Sequence, residues 1–275
     1  MHIISGGNDA EQRRDGDFLE KDERYARTDE YLEVVRRAWT ATAPFDFQGR
    51  FYQVEGYSSG VRPFQQPHPP IYFGGSSPAA YRVGGKHADV YALFAEPLAD
   101  TAQQIASVRA AALAAGRAEA PGISVSFRPI LGPTEEIAWE RAHAILEQTQ
   151  ANIARGADRF KRFNPNGERS VGSQRMLDAA GRGARHDRAL WTELAKATGA
   201  HGNSNALVGT PETVAGALLD YIEIGATTLL IRGYDPYDDA IDYGRELIPL
   251  VRQELARREA GGAHTQPTPA RAAVN

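Results

Sequence analysis

Three apolar residues, Ile71-Tyr72-Phe73, run directly into Gly74-Gly75-Ser76-Ser77-Pro78. Branched and aromatic residues of this kind favour a buried strand. Paired glycines allow a sharp turn and let a ligand come close to the backbone. Ser76 or Ser77 can cap a helix whose first turn holds Pro78. A helix start with free N–H groups and two hydroxyls is an anion site, most often for phosphate. An ordinary capped strand–turn–helix has the same sequence, and both readings stay open at this level.

Two other positions have side chains able to act on a substrate. Arg128 lies within an apolar strand among Val125, Phe127 and Ile130. A charge there is costly unless it is used. It can pair with an anionic group or steady developing negative charge, or it can serve a structural ion pair. Tyr234 follows Gly233 at the end of the last strand, a turn position suited to a site. Glu135/Glu136 and Asp238/Asp239 look like paired carboxylates, but acids at helix starts that complement the dipole account for them. His68, His87, His143 and His186 show no metal spacing and read as mostly surface residues.

The composition narrows the function. The 275 residues carry a net charge of -4, which argues against nucleic acid as a partner. There is no cysteine, so disulfides, thiolate metal sites and cysteine nucleophiles are excluded, and a cytoplasmic location fits. No apolar run reaches the length of a membrane span, and Met1-His2-Ile3-Ile4 lacks signal-peptide character. No Gly-x-Gly-x-x-Gly run follows a strand, so stable NAD(P)H binding is not expected.

The elements that would hold these residues alternate. Strands are expected near 2–5, 71–73, 89–94, 123–131 and 227–232, and helices over 18–41, from Pro78, over 98–115, after Thr134, after Thr210 and over 237–257. A hairpin is expected around Gly49. Residues 150–205, polar and rich in Gly, Arg and Asn, read as an irregular insertion. The domain is expected to span 1–258, with 259–275 a disordered tail. The alternation implies a parallel sheet, either a (β/α)8 barrel or an open doubly wound sheet. Five strands are counted where a barrel needs eight.

Several motifs occur together in order. They are Gly16-Asp17-Phe18-Leu19 with Arg24-Tyr25, Phe47-Gln48-Gly49-Arg50, and Gln65-Gln66-Pro67-His68-Pro69-Pro70-Ile71-Tyr72-Phe73-Gly74-Gly75-Ser76-Ser77. Further along come Thr134-Glu135-Glu136, Ser170-Val171-Gly172-Ser173-Gln174-Arg175-Met176, Ala206-Leu207-Val208-Gly209 and Gly233-Tyr234. Together they resemble the bacterial luciferase-like flavin monooxygenases, and most closely the FMNH2-dependent alkanesulfonate monooxygenases.

The resemblance implies an α/β fold, a (β/α)8 TIM barrel with an insertion after strand 7. It makes the first strand here the family's fourth, so that strands 4 to 8 are present and the barrel is incomplete. It implies reduced FMN as cofactor, O2 and a small organosulfur molecule as substrates, a separate flavin reductase as partner, and a homo-oligomer. It assigns the flavin phosphate to Ser76 and Ser77 beside Gly75, with Tyr25 as a further hydroxyl donor and His2 against the flavin. It turns Tyr234 and Arg128 toward the reaction and puts His201 near the insertion as a catalytic candidate. The chain departs from the alkanesulfonate pattern in three places. Those enzymes have histidine where Arg128 stands and arginine where Ser126 stands; Gly199-Ala200-His201-Gly202 lacks their arginine; and Pro236 replaces a histidine. A deazaflavin-dependent hydride-transfer enzyme of the same superfamily and a non-catalytic fragment are the alternatives.

Overall fold

The computed structural model describes residues 1–163, 169–200 and 205–260, with the side chains of 157–163 left aside. In chain order the elements begin with β1 (His2–Ile3), α1 (Asp9–Arg14), α2 (Lys21–Thr40), β2 (Phe45–Gln48), β3 (Gln53–Tyr57), β4 (Tyr72–Gly74), α3 (Pro78–His87), β5 (Val90–Phe94) and α4 (Leu98–Ala114). They continue with β6 (Gly122–Leu131), α5 (Glu135–Phe163), α6 (Val171–Arg182), β7 (Arg185–His186), β8 (Leu190–Trp191), α7 (Glu193–Thr198), β9 (Ala206–Gly209), α8 (Pro211–Glu223) and β10 (Thr228–Ile231). The C-terminal stretch holds α9 (Asp238–Asp242), a π-helical turn (Tyr243–Leu247) and α10 (Ile248–Ala260). Two compact units form. The first comprises Met1–Leu93, Thr101–Ile123 and Ala154–Arg175; the second comprises Phe94–Asp100, Ser124–Ile153 and the chain from Met176 on.

In the first unit β1, β4 and β5 lie parallel, with His2 opposite Tyr72 and Phe73 opposite Tyr91. Ile71, Phe73 and Tyr91 are fully buried beneath α3. Gly84 makes this packing possible, because a Cβ there would stand 2.6 Å from the Phe73 ring. α3 starts as the sequence predicts: Ser77 is its N-cap, its side chain accepts from Ala80 N at 3.2 Å, and Pro78 follows. The hairpin of β2 and β3 forms with Gly49 in its turn. α1 falls between the expected first strand and the helix over 18–41, where no element is expected, and is capped by Asn8, whose side chain accepts from Glu11 N at 3.0 Å.

α2 is joined to α3 through Asp29, which accepts from His87 Nε2 at 2.5 Å and from Lys86 Nζ at 2.7 Å. His87 is buried, as is His68, whose Nε2 accepts from Arg36 Nε at 3.2 Å. Neither is the surface residue expected from sequence, because each is the polar partner of a charged side chain. Partial burial pushes the Asp29 carboxyl up, but the hydrogen bonds and charges of His87 and Lys86 outweigh it and hold the group at about 2, below its ordinary 3.8. A carboxyl lowered by folding stabilises fully above its unfolded value and loses that contribution as pH falls through the folded one. Asp29→Asn should therefore cost about 1–2 kcal/mol at neutral pH after allowance for solvent screening. Thermal melts of both proteins should converge between pH 4 and 2; a gap that stays constant across that range would exclude this linkage.

In the second unit β6, ten residues long, pairs with β10 and then with β9 along its length. Its first half pairs in parallel with β10, from Ser124 opposite Thr228 to Phe127 opposite Ile231. Its second half pairs in parallel with β9, from Arg128 opposite Ala206 to Leu131 opposite Gly209. β9 carries the antiparallel pair β8 and β7 on its far side. Ile130, Ala138, Ala142, Trp191, Leu194, Ala206 and Val208 form one core cluster, and Tyr234 packs against it. The described residues of the predicted irregular stretch from 150 to 205 form the end of α5, α6, the β7–β8 hairpin and α7. At the other end α10 continues to Ala260, two residues past the expected domain limit, and residues 261–275 lie outside the described residues.

Candidate functional site

The hydroxyl cradle in the first unit is built on the exit of β4. Gly75 has φ +146, a conformation that side chains other than hydrogen rarely adopt. A Cβ there would stand 2.7 Å from Ala80 Cβ and 3.0 Å from Tyr25 Oη, so the glycine leaves the start of α3 and the tyrosine hydroxyl next to one another. The Gly75 carbonyl accepts from Tyr91 Oη at 2.9 Å, which fixes the turn from below. Ser77 is buried and Ser76 half-buried. Tyr25 is buried with Ser77 near its hydroxyl; burial pushes its phenol up, so it remains a protonated donor. The sequence candidates Tyr25, Gly75 and Ser77 thus meet.

Arg24 explains why α2 presents Tyr25 here. Its guanidinium is buried and donates from Nε to Ser5 O at 3.1 Å, from Nη1 to Leu19 O at 2.6 Å and from Nη2 to Asp9 Oδ1 at 2.6 Å. A fully paired buried arginine of this kind clamps the first turns of α2 to the exit of β1. His2 is exposed; its Nε2 lies 3.4 Å from where a Gly74 Cβ would be, and its ring is 6.2 Å from Tyr72. Though the residue is exposed as a whole, partial desolvation of its ring lowers its basicity. A second hydroxyl-tipped helix start in this unit received no role from its sequence. Ser170 Oγ accepts from Ser173 N at 3.1 Å and lies 3.0 Å from Ser173 Oγ at the head of α6, with Gly7 of the β1 exit against it. The serine spacing was the available signal.

The second unit unites two further candidates. The Arg128 guanidinium carbon lies 4.9 Å over the Tyr234 ring, and Nη1 donates to Gly233 O at 2.9 Å. Burial, then the nearby Arg232, lowers the affinity of Arg128 for its proton. Burial raises the Tyr234 phenol well above its ordinary range against the opposing pull of Arg128 and Arg232, so it is a neutral donor at working pH. Asp239 Oδ2 accepts from Tyr234 N at 2.7 Å and Asp235 N at 2.9 Å, and Oδ1 pairs with Arg141. Asp239 is therefore more than the solvated helix-start acid expected from sequence, while Asp238 is exposed in the first turn of α9. Glu135 is likewise engaged, because its Oε1 accepts from Thr210 N at 3.1 Å and Thr213 Oγ1 at 2.6 Å and so holds the start of α8. His201 lies outside the described residues. Among the described residues no group of three or more His, Asp or Glu side chains could hold a metal ion.

Residues 1–228 match the family model described as luciferase-like monooxygenase. The chain belongs to this family. Among solved structures it is similar to a riboflavin lyase determined with modified FMN and riboflavin, at 20% identity and a TM-score of 0.71, covering 94% of this chain and 62% of that one. It is also similar to the EDTA monooxygenase of Chelativorans sp. BNC1, at 20% identity and a TM-score of 0.66, covering 90% and 66%. An F420-dependent secondary alcohol dehydrogenase matches at 16% identity and a TM-score of 0.59, covering 91% and 69%. The α/β fold with parallel strands is that of the luciferase-like barrels. This chain spans less than two thirds of the length of the first two structures, and its described strands make up part of such a barrel. No helix among the described residues is long and apolar enough to cross a membrane.

Proposed function

We propose that this chain binds flavin mononucleotide through its phosphate and takes part in a monooxygenase reaction that oxidises a small anionic organic molecule, an organosulfur compound such as an alkanesulfonate foremost. The observation that carries the reading is the convergence of Tyr25 Oη and Ser77 at Gly75, on the N-terminus of α3. The residues present fit the group: neutral hydroxyls and the Ala79 N–H, which has no acceptor within the helix, suit a phosphate dianion. Ser76, Ser77 and Tyr25 would hold that phosphate, and the absent side chain of Gly75 lets it approach the backbone. Reduced flavin, when bound, supplies the electrons for activating O2, and a separate flavin reductase would deliver it.

The substrate class rests on the second unit. Arg128 and Arg232 both act on Tyr234 electrostatically, which favours a negatively charged partner. Tyr234 would donate its phenolic proton in a hydrogen bond and keep it at working pH. Arg128 would orient the anion through its planar guanidinium. A deazaflavin would use the same hydroxyl cradle, and the likeness to an F420-dependent dehydrogenase makes F420 a ligand to test beside FMN.

The experiment is a thermal melt with FMN, anaerobically reduced FMN, riboflavin and F420 in parallel, followed by O2 consumption with reduced FMN. A ligand at a hundred times its dissociation constant stabilises the folded chain by about 2.7 kcal/mol, a shift of several degrees. The shift is expected to be larger with oxidised or reduced FMN than with riboflavin, which lacks the phosphate. A shift confined to F420 would favour hydride transfer. No cooperative melt and no shift with any of them would leave the non-catalytic fragment.

A further inference from the structure

We propose that Asp239 is a positioning residue for Tyr234, holding the ring in register with Arg128 through the turn that follows β10. The catalytic significance of this placement rests on the function proposed above; the placement itself does not. Asp239 is buried, and both oxygens are committed. Oδ2 takes the successive backbone N–H groups of Tyr234 and Asp235, and Oδ1 takes Arg141, whose Nη1 also reaches Leu131 O at 3.3 Å. One carboxylate thus ties the exit of β10 to the end of β6, the strand that carries Arg128.

The fit around that carboxylate is close. A Cβ on Gly233 would come within 2.6 Å of Asp239 Cγ, so the turn lies directly on the acid. The Gly233 carbonyl faces the other way and accepts from Arg128. The peptide between Gly233 and Tyr234 is therefore gripped on its N–H by Asp239 and on its carbonyl by Arg128. Such a peptide has little freedom to rotate, and the Tyr234 ring that follows inherits its orientation. From below, Tyr243 Oη in the π-helical turn donates to Pro129 O at 2.5 Å, next to Arg128 on β6. A carboxylate that merely favoured the start of α9 would need neither the two N–H groups before the helix nor the arginine from α5.

The test reads Tyr234 directly, without flavin. The protein is labelled with 3-fluorotyrosine at its eleven tyrosines, and the Tyr234 resonance is assigned by its loss in Tyr234→Phe. Asp239→Asn should move that resonance toward the value of free fluorotyrosine, as should Arg128→Met, while resonances from the first unit stay in place. Where Asp239→Asn fails to fold, Arg141→Gln decides. Its side chain is one-third exposed, so the variant should fold, and it loosens the carboxylate while leaving Asp239 present. A folded Asp239→Asn or Arg141→Gln protein with an unmoved Tyr234 resonance overturns the proposal, even if its melting temperature drops. The FMN melts probe the function separately: a moved resonance with no flavin shift would uphold the positioning and remove the reading of the site.

Discussion

Replacing Ser76 by alanine and Ser77 by glycine should weaken FMN binding by about 1–3 kcal/mol, or roughly 5–150-fold, and leave riboflavin binding unchanged. The choice of glycine at position 77 follows from the two roles of the serine. Ser77 caps α3 through Ala80 N as well as standing in the cradle. Alanine at an N-cap costs about 1 kcal/mol of helix stability, whereas glycine costs a few tenths. The glycine variant therefore removes the hydroxyl while keeping the helix start, so that lost affinity is not confused with a displaced α3. Ser76 lies outside the cap and can be truncated plainly.

The comparison with riboflavin isolates the phosphate. Both ligands carry the same ring system, and only FMN offers a dianion to hydroxyls and a helix N-terminus. Isothermal titration with each ligand on both proteins gives four numbers. If the hydroxyls hold the phosphate, the substitutions reduce the preference for FMN over riboflavin. Equal losses for both ligands would mean that the turn had shifted, and no loss for either would end the assignment. Tyr25 remains in the double variant, so a residual preference is expected, because its buried phenol is a third donor beside Gly75.

The strand, turn and capped helix start beneath the cradle are legible in the sequence because their determinants are local, whereas Tyr25 enters only through the family resemblance. A β-prone tripeptide, two glycines, a serine cap and a proline at the first helical position each act within a few residues, and all point the same way. The start of α1 carries a local signal of the same kind, Asn8 three residues before Glu11, but six residues are too few for a helical period to show. β9 was hidden for another reason. Ala206–Gly209 is four residues long and is a strand through two partners distant in sequence or irregular in pattern, the second half of β6 beyond β10 and the two-residue β8. Composition misled over 171–198, where polar residues lie on the outer faces of helices whose buried sides include Met176, Ala179 and Leu194. The network around Tyr234 could not be read at all. Arg141 and Asp239 are 98 residues apart and Arg128 and Gly233 are 105 apart, and a single chain carries no signal for such pairs.

Arg128→Met should lower kcat/KM for an anionic substrate by about 2–4 kcal/mol, roughly 30–1000-fold, with a much smaller effect on a neutral analogue. Methionine keeps the unbranched stem and its packing beside Tyr234 but removes the charge and the donor to Gly233 O. Stability should change little, because relief of a half-buried charge offsets the lost hydrogen bond. Arg128→Lys should not restore the activity. A lysine ammonium lacks the planar fork that both lies over the Tyr234 ring and donates to the carbonyl beside it. The measurement is product formation by mass spectrometry from paired alkanesulfonates and uncharged sulfones, with reduced FMN supplied by an added reductase. Because the Tyr234 phenol stays protonated well into alkali, the loss in Arg128→Met should be the same at pH 6 and pH 9. Equal turnover of charged and neutral members of each pair by the unmodified protein would remove the anionic substrate class, and Arg128 would then serve only to brace the turn behind Tyr234.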